Sequence, residues 1–152
     1  MDKILVSGCF LGELVRYNGE NKPLSHQLMT LWQKQNRFIS ICPEVVGGLS
    51  VPRSPAEIDP ETSRVISREG VDVTAEFLIG AQSALSLCHK YMIKFALLKE
   101  YSPSCGSKEI YDGSFTNKKK LGQGITSQLL YSNGIEIFSE ETIEQLVEKL
   151  DK

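Results

Sequence analysis

The chain has 152 residues, of which 41% are hydrophobic and 24% are charged, and its formal net charge is −2 at pH 7. These values are typical of a soluble globular protein with a real hydrophobic core, and residues 1–152 are predicted to form a single domain. The nearly neutral charge balance argues against a general affinity for nucleic acid or for an anionic membrane. No stretch reaches the ~18 apolar residues that span a bilayer, and no signal-peptide core is present, so a cytoplasmic protein is expected.

Strand and helix patterns alternate along the chain. In chain order they predict a strand over 3–7, a helix over 24–36, a strand over 37–41, a helix over 74–92, a strand over 93–98, a helix over 123–132, a strand over 135–138 and a helix over 140–150. Thr74, with Asp72 beside it, and Ser139 are predicted to cap two of these helices. The Pro-, Gly- and Ser-rich segments 42–59 and 99–116 are predicted to be irregular loops, and the basic run 118–120 a solvated loop.

This alternation predicts an α/β fold. Strands separated by helices imply βα units, so we expect a three-layer domain with a mostly parallel sheet of about four strands and helices on both faces. The long irregular loops then lie at the C-terminal ends of the strands. Loops of that length are unusual in compact domains unless they carry function.

Three of the four cysteines follow predicted strands. Cys9 lies just past the first strand, Cys42 comes directly after the second, and Cys105 lies in the loop that follows the third. Ligands and chemistry in open α/β sheets collect beyond the carboxyl ends of the strands, so these three residues are expected to converge on one site. Cys88 instead falls on the apolar stripe of the helix over 74–92 and is predicted to be a small buried hydrophobic side chain.

The three thiols favour an iron–sulfur cluster over structural zinc. Structural zinc usually takes four protein ligands, commonly with a C-x2-C pair, and this sequence has no such pair. His26 and His89 are not near the three cysteines in the sequence. Thiolates are the usual ligands of iron–sulfur clusters, and three of them leave one iron of a four-iron cluster open as a Lewis acid. Zinc and metal-free thiol chemistry stay open at this point.

Five motifs are distributed along the chain between residues 9 and 106. They are CFLGE with VRYNG over 9–13 and 15–19, CPEVVGGL over 42–49, VPRSPAEI over 51–58, GVDVT over 70–74 and LKEYSPSCG over 98–106. In this order they resemble the motifs of the bacterial domain of unknown function family 523, to which the thiouracil desulfidases belong.

The resemblance implies both a cofactor and a reaction. By resemblance, Cys9, Cys42 and Cys105 hold a four-iron, four-sulfur (4Fe-4S) cluster, which is expected to be lost readily during isolation in air. The open iron takes the thiocarbonyl sulfur of a small thiolated nucleobase such as 2-thiouracil, and water replaces that sulfur, without net redox change. The resemblance also implies catalytic roles for Glu44 and Ser102. A carboxylate whose pKa is raised in a sheltered site can take a proton from the attacking water.

Several polar residues near these motifs have two interpretations. Arg16, Arg53, Glu57 and Ser104 are possible substrate contacts, but residues of these types hold long loops in place at least as often. The structural alternative for Glu44 is an ion pair, for which Arg53 is the expected partner.

Three other functions account for part of the pattern. A thiol phosphatase of the low-molecular-weight type has a C-x5-R loop, whereas Cys9 and Arg16 are spaced C-x6-R, and that function leaves Cys42 and Cys105 unexplained. A non-catalytic zinc- or cluster-binding module would have a closed site, whereas an enzyme needs an open pocket that Glu44 faces. The third is the same desulfidase chemistry on a different thioamide or thiocarbonyl compound, because family membership does not determine substrate.

Overall fold

The computed structural model describes residues 1–13, 16–20, 24 and 26–150. Val15 of the first motif lies outside these residues. In chain order the elements are β1 (Ile4–Ser7), a 3-10 turn (Gly8–Leu11), α1 (Gln27–Lys34), β2 (Phe38–Ile41), α2 (Pro43–Val46), β3 (Ala56–Ile58), β4 (Val65–Ser67), α3 (Thr74–Lys90), β5 (Phe95–Leu97), β6 (Glu109–Tyr111), β7 (Lys119–Leu121), α4 (Ile125–Ser132), β8 (Glu136–Phe138) and α5 (Ile143–Leu150). Within the described ranges, no helix combines the length and apolar character needed to cross a lipid bilayer.

Four strands form one parallel sheet in the order β2-β1-β5-β8. The register aligns Ile4 of β1 with Phe38 of β2 on one side and with Phe95 of β5 on the other. The chain leaves β1 toward β2 and later returns to the opposite side of β1, so the strand order reverses between β1 and β5. In open α/β sheets this reversal opens a crevice at the carboxyl ends of the strands. There the backbone N–H of Lys99 donates a hydrogen bond to Ser7 Oγ at 3.0 Å.

Helices cover both faces of the sheet. Successive strand residues point to opposite faces, so each strand contributes to two cores. The core between the sheet and the helices α1 and α5 includes Ile4, Val6, Met29, Trp32, Leu97, Phe138, Ile143 and Leu146. The core between the sheet and the helices α3 and α4 includes Leu5, Ala84, Cys88, Ala96, Leu98 and Leu130. The predicted three-layer α/β fold with a four-stranded parallel sheet is confirmed.

The structure contains two antiparallel ribbons, and three of their strands, β3, β6 and β7, lie in segments that were predicted to be irregular or solvated, whereas no prediction covered β4. β3 pairs with β4, and β6 pairs with β7, which contains two of the three lysines of the basic run 118–120. The short helix α2 also lies within a predicted loop. The loop prediction was wrong at these places because elements of three or four residues are too short to show a period in the sequence.

Helix starts also differ from the prediction: α1 begins at Gln27 rather than at 24, and α4 begins at Ile125 rather than at 123. Thr74 is the first residue of α3 rather than its cap, and its Oγ1 accepts a hydrogen bond from the Val65 N–H at 2.8 Å. The capping acceptor is Asp72, whose Oδ1 accepts the Thr74 N–H at 2.9 Å. α5 begins at Ile143 rather than at 140, and Ser139 Oγ accepts the Glu141 N–H at 3.1 Å within the turn that precedes the helix.

Candidate active site

A cavity of about 240 Å³ lies at the carboxyl ends of β1, β2 and β5. Cys9, Cys42 and Cys105 all line it, and each comes from a different element. Cys9 lies in the 3-10 turn after β1, Cys42 is the N-cap of α2 after β2, and Cys105 lies in the loop after β5. The structure therefore brings together the three cysteines that the sequence predicts to converge.

Cys88 does not line this cavity. It is 1% exposed in the core between α3 and the sheet, and burial raises the pKa of its thiol to about 11. All four cysteines belong to the described residues, and none of them forms a disulfide. Over the same residues, no three His, Cys, Asp or Glu side chains are arranged to hold a single metal ion.

Burial and mutual proximity raise the pKa values of the cavity thiols. Burial and then Cys42 raise the pKa of Cys9 to about 11, against the lowering effect of the Lys99 ammonium. Burial and Cys42 also raise the pKa of Cys105, although the Ser7 hydroxyl donates to its sulfur. Metal binds the thiolate, and the raised pKa values make the thiolates unfavourable in the buried site. Positively charged metal bound among the sulfur atoms would offset that cost.

The short helix α2 brings Cys42 and Glu44 to the cavity. Burial raises the pKa of Cys42, whereas hydrogen bonds from the backbone N–H groups of Val45 and Glu44 lower it. Glu44 lines the cavity, and its Oε1 accepts a hydrogen bond from Arg53 Nε at 3.3 Å. Burial raises the pKa of Glu44 by more than Arg53 lowers it. The structure thus combines both interpretations of Glu44, as a cavity-facing carboxyl group and as the partner of an arginine.

Ser102 lines the cavity and also shapes the loop that contains Cys105. Its Oγ accepts the backbone N–H groups of Ser104 at 3.0 Å and of Cys105 at 3.1 Å. A hydroxyl group has two acceptor lone pairs and one donor proton. With both lone pairs engaged, the O–H proton is the part of Ser102 that is available to a molecule in the cavity.

Ser104 and Glu57 hold loops in place. Ser104 is fully buried, does not line the cavity, and its Oγ is hydrogen-bonded to Thr126 Oγ1 at 2.8 Å. Glu57 reaches the cavity wall, but its Oε1 accepts the N–H groups of Gly113 at 2.9 Å and Phe115 at 3.2 Å. These contacts match the loop-holding interpretation of both residues.

Among the residues that the structure describes, four with basic side chains line the cavity: Arg16, Arg53, Arg68 and Lys99. The sequence singled out the first two but not Arg68 or Lys99. Lys99 pairs through Nζ with Glu140 Oε2 at 2.8 Å. Its position directly after the third predicted strand, comparable to that of Cys42 after the second, was a signal that could have identified it.

Glu100 and Tyr101 also line the cavity and were not singled out from the sequence. Glu100 is 2% exposed although it carries a carboxyl group. The Tyr101 hydroxyl donates a hydrogen bond to Glu141, which raises the pKa of Tyr101 to about 12. Lys119 Nζ lies 3.5 Å from the centre of the Tyr101 ring, so one lysine of the basic run reaches the residues at the cavity.

Comparison with known proteins identifies the family. The chain matches the family model described as 2-thiouracil desulfurase over residues 4–142. It is 36% identical over 152 residues to the uncharacterized protein YbbK of Bacillus subtilis (strain 168). The aligned region covers 95% of this chain and 99% of that protein. The solved structure of the 4Fe-4S-dependent thiouracil desulfidase TudS (DUF523Vcz) superposes with a TM-score of 0.96 at 46% identity, over 99% of each chain. The chain therefore belongs to the 2-thiouracil desulfurase family, which confirms the resemblance drawn from its motifs.

Proposed function

We propose that this protein is an iron–sulfur-dependent, non-redox desulfidase that acts on a small thiolated nucleobase such as 2-thiouracil. The reaction is hydrolytic: the thiocarbonyl compound and water give the oxo base and hydrogen sulfide, with no transfer of electrons. The observation that carries the proposal is the convergence of Cys9, Cys42 and Cys105 on a cavity that Glu44 and Ser102 also line. The likeness to TudS, described as a 4Fe-4S-dependent thiouracil desulfidase, supports it.

The donor set fits a 4Fe-4S cluster with three cysteine ligands. All three donors are sulfur atoms, which are the usual ligands of such clusters. In such a cluster each thiolate would bind a different iron, so the three sulfur atoms would not need to be close enough to share one ion. When bound, the cluster would offer an open iron to a soft thiocarbonyl sulfur and act as a Lewis acid on the attached carbon.

Glu44 is the proposed general base toward water. Its raised pKa makes the carboxylate a better proton acceptor than an exposed glutamate. The hydrogen bond from Arg53 Nε to Oε1 orients the carboxyl group at the cavity wall. General base catalysis by a positioned side chain contributes roughly 10²–10⁴-fold to a rate.

Ser102 is the proposed hydrogen-bond donor to the substrate. Its two lone pairs are engaged by the N–H groups of Ser104 and Cys105, so it is not suited to act as a base. The remaining O–H proton can orient an acceptor atom of the pyrimidine ring or of its exocyclic group.

The cavity favours this function over a non-catalytic metal-binding module. A storage or sensor site needs only its ligands, whereas here about 240 Å³ of space adjoins the cysteines and is lined by ionisable groups. Such a combination of a concave pocket with titratable groups of shifted pKa is typical of an active site.

Anaerobic reconstitution with iron and sulfide, followed by addition of 2-thiouracil, tests the proposal. After removal of excess sulfide, we expect a bound cluster and the release of sulfide and uracil in equal amounts. A cluster without release would contradict 2-thiouracil as substrate and direct the search to other thioamides. Failure to bind any cluster would contradict the assignment of the three-cysteine site.

A further inference from the structure

Glu100 is a buried carboxylate to which the proposed reaction gives no role. Its Oε1 accepts the backbone N–H groups of Tyr101 at 3.3 Å, Ser107 at 2.7 Å and Lys108 at 3.1 Å, with that of Glu109 at 3.5 Å. Its Oε2 accepts the Ser107 hydroxyl at 2.6 Å. Five donors therefore converge on one carboxyl group that is 2% exposed.

These donors lie on both sides of residues 102–106, the segment that contains Ser102 and Cys105. Tyr101 precedes the segment, and the Ser107 N–H and hydroxyl follow it. A single carboxylate therefore ties the two ends of the segment together. Two ends held together in this way limit the paths that are open to the chain between them, which also contacts Ser127 through the Cys105 carbonyl oxygen.

The backbone of Glu100 is fixed by a second set of contacts. Its backbone N–H donates to Glu140 Oε1 at 2.8 Å, and Glu140 Oε2 pairs with Lys99 Nζ at 2.8 Å. The backbone N–H of Lys99 donates in turn to Ser7 Oγ at the end of β1. The Cys105 loop is thus connected through Glu100 to the sheet and to the turn that precedes α5.

The Glu100 carboxylate stays ionised in this position. Burial favours the protonated form, but the hydrogen bonds from Ser107, Lys108 and Tyr101 outweigh burial and lower the pKa of Glu100. Hydrogen bonds to an ionised acceptor are roughly twice as strong as those to a neutral one. Replacing the carboxylate with a neutral amide of the same shape would therefore weaken all of these hydrogen bonds together.

We propose that Glu100 is a positioning residue that holds the loop of Ser102 and Cys105 in the geometry that cluster binding requires. The inference rests on the proposed function for the identity of the cluster. The constraint on Cys105, however, is a property of the chain before any cluster is bound, and it can be measured in the cluster-free protein.

The test compares Glu100→Gln with a matched control, Glu57→Gln. Glu57 is also a buried carboxylate at the cavity wall that accepts two backbone N–H groups, but its loop, residues 113–115, contains no cysteine. The readout is the rate at which iodoacetamide alkylates each cysteine of the cluster-free protein, followed by mass spectrometry. Cys88, in the core, reports global opening of the fold.

We expect Glu100→Gln to raise the alkylation rate of Cys105 by roughly tenfold while that of Cys88 stays unchanged. Glu57→Gln should leave the Cys105 rate at the wild-type value. After reconstitution, Glu100→Gln should bind less iron per chain and show an altered absorption spectrum. An unchanged Cys105 rate, or an equal increase at Cys88 and Cys105, would overturn the proposal.

Ser107→Ala provides a milder variant in case Glu100→Gln does not fold. It removes only the hydroxyl donor to Oε2, so the increase at Cys105 should be selective but smaller. An unchanged Cys105 rate in Ser107→Ala would then count against Glu100. If the wild-type protein binds no iron–sulfur cluster, the proposed function fails, but the alkylation rates still decide the role of Glu100.

Discussion

Gly80 of α3 lies so close to the carbonyl oxygen of Pro43 that a methyl group at Gly80 would be 1.9 Å from it. A methyl group at Gly47, at the other end of α2, would likewise lie 1.9 Å from the carbonyl oxygen of Glu76 in α3. The two glycines therefore allow α2 to rest directly on the α3 backbone. Because α2 carries Glu44 and begins directly after Cys42, this contact positions one proposed cluster ligand and the proposed base.

Gly80→Ala is therefore expected to destabilise the protein, although alanine usually stabilises a helix by about 1 kcal/mol relative to glycine. The methyl group would meet backbone atoms that cannot rotate away, and overpacking of this kind costs ~1–3 kcal/mol. Urea unfolding of the cluster-free protein, followed by circular dichroism, measures the change. Ser83→Ala on the same helix is the control, with an expected change within about 0.5 kcal/mol. A more stable Gly80→Ala variant would contradict the backbone contact.

The four cysteines should fall into two classes when each is replaced with alanine. Loss of Cys9, Cys42 or Cys105 removes a proposed ligand, so reconstituted protein should contain little iron or acid-labile sulfide. Cys88→Ala should retain both, with only the loss of about 1 kcal/mol expected for removing a small buried group from the core. Equal loss of iron in all four variants would count against the site assignment.

The pH profile of kcat/KM should contain an acidic limb that belongs to Glu44. Because burial raises its pKa, the carboxylate is protonated, and lost as a base, at a higher pH than an exposed glutamate would be. Activity should therefore rise with pH through this raised value. Glu44→Gln should lower kcat/KM by roughly 10²–10⁴-fold and abolish the limb. A variant that keeps the limb would assign it to another group.

Ser102 and Ser104 form a matched pair in one loop. Ser102→Ala removes the proposed donor to the substrate and should lower kcat by about 10²-fold, the typical loss for one well-placed donor. Ser104→Ala breaks a buried hydrogen bond to Thr126, so it should cost ~1 kcal/mol of stability and leave kcat near the wild-type value. Steady-state kinetics and urea unfolding of both variants separate the two roles, and similar kcat losses would contradict the assignment.

The sequence by itself determined the α/β architecture and the three-cysteine site, because both depend on local patterns. Apolar runs that alternate with helical periodicity predict a parallel sheet, and the carboxyl ends of parallel strands lie at one edge. A cysteine placed soon after each of three strands must therefore come to that edge. The same reasoning separated Cys88, which has helical spacing with other core residues.

Only the tertiary structure decided what the polar residues contact. Glu57 accepts hydrogen bonds from Gly113 and Phe115, more than fifty positions away in the sequence, with separations of 56 and 58. The hydrogen bond from the Glu100 backbone N–H to Glu140 Oε1 joins residues 40 positions apart. No local pattern encodes such pairs, because a carboxylate satisfies its acceptors with whichever donors the folded chain brings within reach. The ribbons, whose strands have three residues each, and the contact of α2 with α3 could not be predicted for a related reason. Contacts between separate segments of the chain create them, and periodicity in the sequence does not.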